Sequence, residues 1–342
     1  MSPEIAEHCR QIVEEMKSGR VIPFIGAGIN LCGFERTPGN GNAWEQNGWL
    51  PNGSELSRHL AHRFAYNDPA TDWDLMRVSQ YASVVSGGGP LYDELQKLFA
   101  RDYPLTSIHQ LLARMPGALR QLGCPAGLPL IITTNYDEVL EAAFLVANEP
   151  FDIVSYFIER ENQRAKFWHL PNASEHFQKR VAGATLDAAP WQVMSPPNTY
   201  AQLPVNQRTI ILKIHGAVDR ADKDQSSFVI TEDDYIDFLS QMDFANPLPK
   251  MLAAMMRDTH FLFLGYGLRD WNLRVILQRI WGAQKRSYNS WAIQLNPQTI
   301  DRKSWAKRNV DLLDMKLEDY VPLLEQALFG TSPASPAPAP TR

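Results

Sequence analysis

The sequence predicts an α/β protein built on a doubly wound parallel sheet. Four short, nearly continuous apolar runs have the composition of strands that are buried on both faces. They cover residues 21–25, 130–133, 209–214 and 261–264. Segments with helical spacing of apolar residues lie between these runs. Such alternation of strand and helix is typical of parallel sheets.

The first third of the chain predicts a helix, a strand, a loop and a helical cap. Apolar residues recur at helical spacing over residues 4–18, and Gly19 ends that pattern before the first strand. Residues 32–53 are rich in Gly, Asn and Pro, which predicts a long loop. Residues from about 54 to 120 then predict several helices, which we expect to form a cap inserted into the sheet domain.

The remainder predicts further strand and helix steps with one irregular insertion. The run at residues 291–295 predicts another strand, whereas residues 160–208 are polar and hold five prolines, which favours irregular structure. Residues 331–342 are rich in Pro, Ala and Ser and predict a solvated, disordered tail. We therefore expect one domain over residues 1–330.

Charge and composition argue against several kinds of partner. The formal net charge is −5 and the Lys and Arg residues are scattered, so direct nucleic-acid binding is not expected. Cys9, Cys32 and Cys124 are far apart and form no CxxC pair, which excludes a cysteine zinc site and indicates a reducing compartment. The sequence shows no secretory leader and no run of about 20 apolar residues. We expect a cytoplasmic protein without membrane segments.

Each of the four predicted strands stops at a polar or glycine cluster, and these clusters form the candidate site. The carboxyl ends of parallel strands lie along one edge of a sheet, where ligands bind at the switch point. We therefore expect all four clusters to line one crevice. The clusters are Gly26-Ala27-Gly28, Thr134-Asn135-Tyr136-Asp137, His215-Gly216 and Gly265-Tyr266-Gly267.

The first cluster is a tight glycine turn in which backbone N–H groups can approach a pyrophosphate. The third glycine of the GxGxxG fingerprint is missing because Leu31 stands there. No acidic residue ends a second strand about twenty residues further on, which argues against an ordinary dehydrogenase. A plain strand-to-helix turn would also explain the two glycines.

Asn135 and Asp137 directly follow a buried strand and can face the crevice. An N-cap would explain Thr134 or Asn135 without any catalytic role, and Asp137 would then interact favourably with the helix dipole. In the fourth cluster, Asp270 is a candidate for binding an adenosine ribose. The same interaction with a helix dipole explains Asp270 equally well.

His215 is the candidate general base. Period-two alternation in its strand sends Ile210, Leu212 and Ile214 to one face. It sends Lys213 and His215 to the other face. Many buried histidines are structural, but one that is followed by glycine at the open end of a buried strand is better placed to act as a base. For Lys213 we expect a side chain that extends into solvent at the sheet edge.

Three other patterns receive structural interpretations. His59 and His62 have a spacing that is compatible with metal binding but no third ligand, so we expect a solvated helix face. Thr231 and Asp234 form a capping-box pattern. The glycosylation sequence at residues 172–174 has no role in a cytoplasmic protein.

The order of the four clusters resembles the SIR2 (sirtuin) family, specifically the bacterial SIR2-like NADases of antiphage defence. The matching motifs are GAGIN, TTNYD, KIHG and LGYGLRDWN, which span roughly residues 20–312. The resemblance implies a Rossmann-like sheet, NAD as the substrate, no metal, and Asn135, Asp137 and His215 as the catalytic residues. It also implies NAD contacts from the glycine turns and their neighbours, namely Gly26, Ala27, Gly28, Asn30, Thr134, Gly265, Tyr266 and Asp270.

By this resemblance each group has a role in breaking the nicotinamide bond. Asn135 positions the ribose or the attacking water, Asp137 orients the carboxamide, and His215 accepts a proton. The turn at residues 26–28 holds the pyrophosphate, and residues 265–270 line the adenosine half.

Departures from the deacylase sirtuins favour hydrolysis. Those enzymes have the motif TQN where this chain has Thr133-Thr134-Asn135. They also carry a four-cysteine zinc module, which the three cysteines of this chain cannot form. The sequence therefore predicts an NAD+ glycohydrolase that yields nicotinamide and ADP-ribose and depletes NAD in abortive infection. A nonenzymatic NAD or ADP-ribose sensor and an NAD-dependent protein deacylase are the alternatives. The family resemblance also implies a homo-oligomer, or control by a regulatory ATPase, an Argonaute-like protein or another defence partner.

Overall fold

The computed structural model describes most of the chain. The described residues are 3–34, 43–69, 73–124, 127–159, 164–183, 190–195, 200, 202–205, 207–241, 250–267, 274–278 and 288–330. Asp270 and the predicted tail at residues 331–342 lie outside the described residues. Within these ranges, no helix is long and apolar enough to cross a bilayer.

In the part of the chain that the structure describes, a nine-stranded sheet forms the centre of the fold. Along the chain the strands are β1 (Val21–Ile25), β2 (Leu130–Thr133), β3 (Phe151–Glu159), β4 (Arg164–Leu170), β5 (Gln192–Val193), β6 (Thr209–Lys213), β7 (His260–Leu264), β8 (Ser290–Gln294) and β9 (Val310–Asp314). Their spatial order is β5-β4-β3-β6-β2-β1-β7-β8-β9. The pairs β3-β4 and β4-β5 are antiparallel, and the strands from β3 to β9 in this order are parallel.

Helices cover both faces of the sheet. The described helices are α1 (Pro3–Lys17), α2 (Ala43–Gln46), α3 (Gly53–Arg63), α4 (Leu75–Ser86), α5 (Gly88–Phe99), α6 (Ser107–Gln121), α7 (Val139–Val146), α8 (Ala173–Val181), α9 (Glu232–Gln241), α10 (Lys250–Arg257), α11 (Thr299–Ala306) and α12 (Leu317–Phe329). Apolar residues of α1, α6, α7, α8 and α12 are buried against one face. Those of α9, α10 and α11 are buried against the other face. The predicted doubly wound, Rossmann-like α/β fold is therefore confirmed.

Helices α2 to α5 form a layer of their own, which we call the cap. The apolar core of the cap includes Trp44, Leu60 and Leu95 and continues into Tyr136 and Phe228, which lie beyond the ends of β2 and β6. The cap therefore packs on the edge of the sheet where those strands end. Helix α6 falls within the predicted insertion, but its apolar residues are buried against the sheet instead.

Residues 160–208 are not an irregular insertion, which corrects that prediction. Strands β4 and β5 extend the sheet and α8 packs on it. His169 of β4 is fully buried, with Nε2 2.8 Å from Asp152 Oδ2, and Asp152 Oδ1 lies 2.9 Å from Arg208 Nε. The described prolines of this region lie between the regular elements. The buried pair of Asp152 and His169 interrupts the apolar pattern of β3 and β4. The sequence of this region therefore has the composition of a surface loop, although it forms strands.

Lys213 is buried, which corrects the expectation that its side chain extends into solvent. Lys213 is 2% exposed, and its Nζ atom lies 2.7 Å from Glu141 Oε1 of α7, which is 1% exposed. The same ammonium donates to the carbonyl oxygen of Asp137. A buried cation needs an anion and hydrogen bonds to offset its desolvation. The pair therefore ties β6 to the start of α7.

We predict that Lys213→Met and Glu141→Leu each lower the free energy of unfolding by about 3–5 kcal/mol, because each leaves one buried charge uncompensated. The double variant should lose less than the sum of the two, since it leaves no lone charge. Urea unfolding followed by circular dichroism measures all three variants. Strictly additive losses would contradict the pairing.

Candidate active site

The glycine turn after β1 packs directly against the glycine turn after β7. Gly26 N–H donates to the Leu264 carbonyl at 3.1 Å, and Gly28 N–H donates to the Gly265 carbonyl at 2.7 Å. A Cβ atom on Gly28 would lie 2.5 Å from the Gly265 oxygen, and one on Gly265 would lie 2.2 Å from the Ile29 nitrogen. The two turns can approach this closely only because both lack side chains.

The N–H groups of Gly26 and Gly28 have acceptors within the protein. Gly26 donates to the last residue of β7, and Gly28 donates to the turn that follows it. Ala27, which is half-buried, begins a short 3-10 helix that ends at Leu31. Asn30 in that helix is 4% exposed. The contact of this turn with a pyrophosphate stays a prediction.

Gly265 and Tyr266 of the second turn lie half-buried beside the first. The Tyr266 ring meets the Phe24 ring edge-on, with 5.5 Å between centroids. Both predicted residues are thus placed at the carboxyl end of the central strands. Asp270, the third predicted residue of this cluster, lies outside the described residues.

Asn135 is held just beyond the end of β2. Its N–H donates to Thr133 Oγ1 at 3.0 Å, and the neighbouring Thr134 N–H donates to the Ile25 carbonyl at 3.2 Å. Asn135 is 8% exposed, and its Oδ1 atom has no hydrogen-bond partner among the described residues. A buried amide oxygen of this kind is a candidate ligand contact.

Asp137 makes the side-chain hydrogen bond to the start of α7 that the sequence had suggested for Thr134 or Asn135, although Glu138 is the N-cap residue. The Oδ1 atom of Asp137 accepts the Val139 N–H at 3.0 Å, at the start of α7. Burial raises the pKa of the Asp137 carboxyl, and the nearby Lys213 acts in the opposite direction. The carboxyl is therefore fixed in place at the edge of the sheet.

The parallel pairing of β2 with β6 aligns Asn135 with His215. Thr133 lies opposite Lys213 in the register of these strands. Asn135 and His215 each follow that pair by two residues, so they occupy equivalent positions beyond neighbouring strand ends. The register thus places the two clusters beyond neighbouring strands, and their convergence in one crevice stays a prediction.

The chain turns sharply after His215. Gly216 has a φ of 91°, and a Cβ atom there would lie 2.1 Å from the Ser227 carbonyl oxygen. The His215 carbonyl accepts the Val229 N–H at 2.9 Å, so the segment after β6 pairs with residues near 228. Only glycine satisfies both the positive φ and the close approach.

Because of this turn, His215 does not share a face with Lys213, which corrects the predicted alternation. Its ring packs against Tyr235 and Phe238 of α9, with centroid distances of 5.2 and 5.4 Å. Those aromatic residues belong to the face that also buries Ile214. The prediction for Ile210, Leu212 and Ile214 themselves is confirmed, since all three are buried on that face.

The imidazole of His215 is neutral at neutral pH. His215 is 2% exposed, and burial lowers the pKa of its ring to about 3. Its Nε2 atom has no hydrogen-bond partner among the described residues, whereas Nδ1 lies 3.5 Å from the Tyr235 hydroxyl. A neutral ring nitrogen without a partner is able to accept a proton.

Two of the remaining sequence patterns form structural contacts rather than a catalytic site. His59 Nε2 lies 2.8 Å from Glu94 Oε1, so this histidine is paired rather than solvated, while His62 is exposed. The predicted capping box is confirmed, because Asp234 N–H donates to Thr231 Oγ1 at 3.0 Å and Asp234 Oδ2 accepts the Thr231 N–H at 2.9 Å. Over the described ranges, no group of three or more His, Cys, Asp or Glu residues is arranged to hold a metal ion.

A family model described as the SIR2-like domain matches residues 129–313, which is more than half of the chain. The chain belongs to the SIR2-like family. The region that matches the SIR2-like domain begins just before β2 and ends within β9. It therefore contains Asn135, Asp137 and His215, and it excludes the turn after β1.

Two bacterial relatives are similar over most of this SIR2-like chain. It is 22% identical over 302 residues to Defense-associated sirtuin 2 of Bacillus subtilis, a match that covers 88% of this chain and 23% of the relative. It is 26% identical over 289 residues to NAD(+) hydrolase ThsA of Bacillus cereus (strain MSX-D12), covering 84% of this chain and 45% of the relative. The chain thus spans less than half the length of either protein.

Sequence reasoning missed two residues that contact this site. Lys213 supports the carbonyl of Asp137, and a signal for it existed, because Glu141 is an acidic residue within the otherwise apolar helix α7. Tyr235 contacts His215, and nothing in the spacing of the sequence relates the two.

We predict that Gly265→Ala lowers the free energy of unfolding by about 1–3 kcal/mol, since its φ is 63° and its Cβ would overlap the turn after β1. Gly267→Ala is the matched control, because a Cβ there meets nothing within 4 Å. Chemical unfolding of both variants measures the difference. Equal losses would show that the close contact of the two turns is not what requires Gly265.

Proposed function

We propose that this SIR2-like protein is an NAD+ glycohydrolase that cleaves NAD+ to nicotinamide and ADP-ribose. One observation carries the proposal: Asn135 Oδ1 and His215 Nε2 are buried without partners among the described residues, at equivalent positions beyond β2 and β6. Buried polar atoms are normally hydrogen-bonded, so two of them at this edge of a parallel sheet support a polar ligand there. The name of the Bacillus cereus relative, NAD(+) hydrolase, supports NAD+ as that ligand.

The chemistry of NAD+ needs few protein groups. Nicotinamide is a cationic ring when bonded to the ribose and leaves as a neutral one, so its departure needs no general acid. The transition state resembles an oxocarbenium ion at the ribose carbon. A water that bonds to this carbon becomes strongly acidic, and a weak base is therefore sufficient to take its proton. The neutral ring of His215 suits that task.

The proposal assigns a role to each candidate residue beyond the ends of the parallel strands. Asn135 positions the ribose or the attacking water, and His215 accepts the proton through Nε2. Asp137, held by Val139 and Lys213, orients the carboxamide. The remaining NAD contacts of the proposal are Ala27, Asn30, Thr134, Gly265, Tyr266 and Asp270, while Gly26 and Gly28 give the turn its shape.

The names of the relatives also support a role in bacterial defence by NAD depletion. An enzyme that consumes cellular NAD+ must be held at a low basal rate until it is needed. Control by assembly into a homo-oligomer, or by an ATPase, an Argonaute-like protein or another defence partner, is therefore part of the proposal.

We predict that the purified protein releases nicotinamide and ADP-ribose from NAD+ without any acylated peptide. Asn135→Ala and His215→Ala should each lower the rate by about 10²–10⁴-fold, because each removes a group that acts on the reacting atoms. Chromatography of timed samples measures both products. The matched control is His62→Ala, a change at an exposed histidine of α3, which should retain the full rate.

Other results of the same assay would replace the assignment. Saturable binding of NAD+ or ADP-ribose without nicotinamide release would indicate a sensor. Release that depends on an acylated peptide would indicate a deacylase. A His215→Ala variant with the wild-type rate would remove the histidine from the mechanism.

We predict that kcat/KM shows no decline around pH 6.5, the ordinary pKa of histidine. Since burial lowers the pKa of His215 to about 3, its active neutral form persists in mildly acidic solution and is lost only as the pH approaches that value. Rates measured across acidic pH, with circular dichroism to confirm folding, test this expectation. An acid limb centred near pH 6.5 would contradict it.

A further inference from the structure

The hydroxyl group of Tyr235 lies beside one ring nitrogen of His215, and the other ring nitrogen has no partner. Tyr235 Oη is 3.5 Å from Nδ1, and the two rings meet edge-on at 85°. The unpartnered atom among the described residues is Nε2. The two nitrogens of this histidine are thus in different environments, although both are buried.

This asymmetry bears on where the single proton of the neutral ring is located. A neutral imidazole carries its proton on either Nδ1 or Nε2, and the other nitrogen is then an acceptor. The hydrogen bond made by one nitrogen decides which form is present. If Nδ1–H donates to the Tyr235 oxygen, Nε2 is left as the acceptor at the edge of the sheet.

The position of Tyr235 is fixed by its helix and by the cap. Asp233, in the first turn of α9, exchanges two hydrogen bonds with Gln80 of α4, at 2.7 and 3.0 Å. The Tyr92 hydroxyl of α5 donates to Asp234 Oδ1 at 3.2 Å. The residues immediately before Tyr235 are therefore anchored on two cap helices. Tyr235 therefore directly follows a segment that is hydrogen-bonded to the cap.

A second contact from the same helix sets the plane of the ring. Phe238, one turn after Tyr235, is fully buried and meets the His215 ring at 90° with 5.4 Å between centroids. Phe238 has no hydrogen-bonding atom in its side chain, so it restricts the ring without any preference for a tautomer. Of these two aromatic contacts, Tyr235 alone is able to select one.

We propose that Tyr235 is a positioning residue, which holds His215 in the Nδ1–H tautomer and so makes Nε2 the proton acceptor. This inference rests on the proposed hydrolysis of NAD+, in which Nε2 takes the proton of the attacking water. Tyr235 itself touches neither the substrate nor the reacting atoms in this scheme.

Nitrogen NMR of the ligand-free protein tests the tautomer directly. In protein labelled with ¹⁵N-histidine at neutral pH, the wild type should show His215 with Nδ1 protonated and Nε2 unprotonated. Tyr235→Phe removes the acceptor but keeps the ring, so the population should shift toward Nε2–H. The signals of His215 are identified by their loss in His215→Ala.

The chain offers a matched control in a second buried histidine. His169 has its Nδ1 atom 2.7 Å from the Tyr200 hydroxyl and its Nε2 atom 2.8 Å from Asp152. Its signals should not change in Tyr235→Phe. Conversely, Tyr200→Phe removes a tyrosine hydroxyl from a different histidine and should leave the tautomer of His215 unchanged.

Kinetics then connect the tautomer to the reaction. Tyr235→Phe should lower kcat for NAD+ about 10-fold. Replacing an ionised partner of a catalytic histidine lowers kcat more than this, because a neutral hydroxyl at 3.5 Å is a weaker partner than a carboxylate. KM should change by less than about twofold, since a positioning residue acts on the chemical step. An unchanged melting temperature confirms that the variant is folded.

Three results would overturn the inference. They are a wild-type His215 with its proton on Nε2, a tautomer that Tyr235→Phe does not alter, and an altered tautomer with an unchanged kcat. The NMR result does not depend on turnover. If the wild type shows the expected tautomer but releases no nicotinamide, the proposed function is contradicted while the assignment of the ring proton stands.

Discussion

The candidate site depends on the parallel pairing of β2 with β6. Asn135 and His215 are far apart in the sequence, and this pairing places them at equivalent positions beyond neighbouring strands. The register cannot slip by one residue without moving every side chain to the opposite face. Ile131 and Ile211 are fully buried on one face, and Ile132 and Leu212 on the other. The register therefore determines which polar residues follow the two strands at the edge.

The central strand β1 joins the two halves of the sheet at the same edge. It pairs with β2 on one side and with β7 on the other. The Ile25 carbonyl accepts the Thr134 N–H, while Gly26 donates to the last residue of β7 and Gly28 donates to the turn after it. The turn after β1 is thus bonded on both sides to segments that adjoin the site. Its glycines contribute through close packing, which also lets the two halves of the edge approach each other.

The strands that carry the site could be predicted because they are short apolar runs that stop at polar or glycine clusters. Strand β9 has no such signal, since it lies at the edge of the sheet and holds two exposed aspartates. The face of His215 could not be derived from alternation, because the turn at Gly216 ends the strand's periodicity, and the burial of Lys213 could not be derived because its partner lies in a helix. The partners Glu141 and Tyr235 come from helices on opposite faces of the sheet, and such contacts depend on tertiary packing that no local pattern encodes.

The buried histidines differ in whether both of their ring nitrogens have hydrogen-bond partners. In His169 both ring nitrogens have partners, so its burial is explained by structure alone. His109 of α6 has a free Nε2 among the described residues, but it lies in a helix whose neighbouring residues Ile108, Leu111 and Leu112 belong to the apolar cluster on one face of the sheet. Among the described residues, His215 has a free Nε2 two residues beyond the end of β6, and Asn135 has a free Oδ1 two residues beyond the end of the neighbouring strand β2. Leaving a buried polar atom unsatisfied costs about 1–3 kcal/mol. Such a cost beyond the ends of two neighbouring parallel strands, where ligands bind in this kind of sheet, is what distinguishes His215 from the histidines whose burial has a structural explanation.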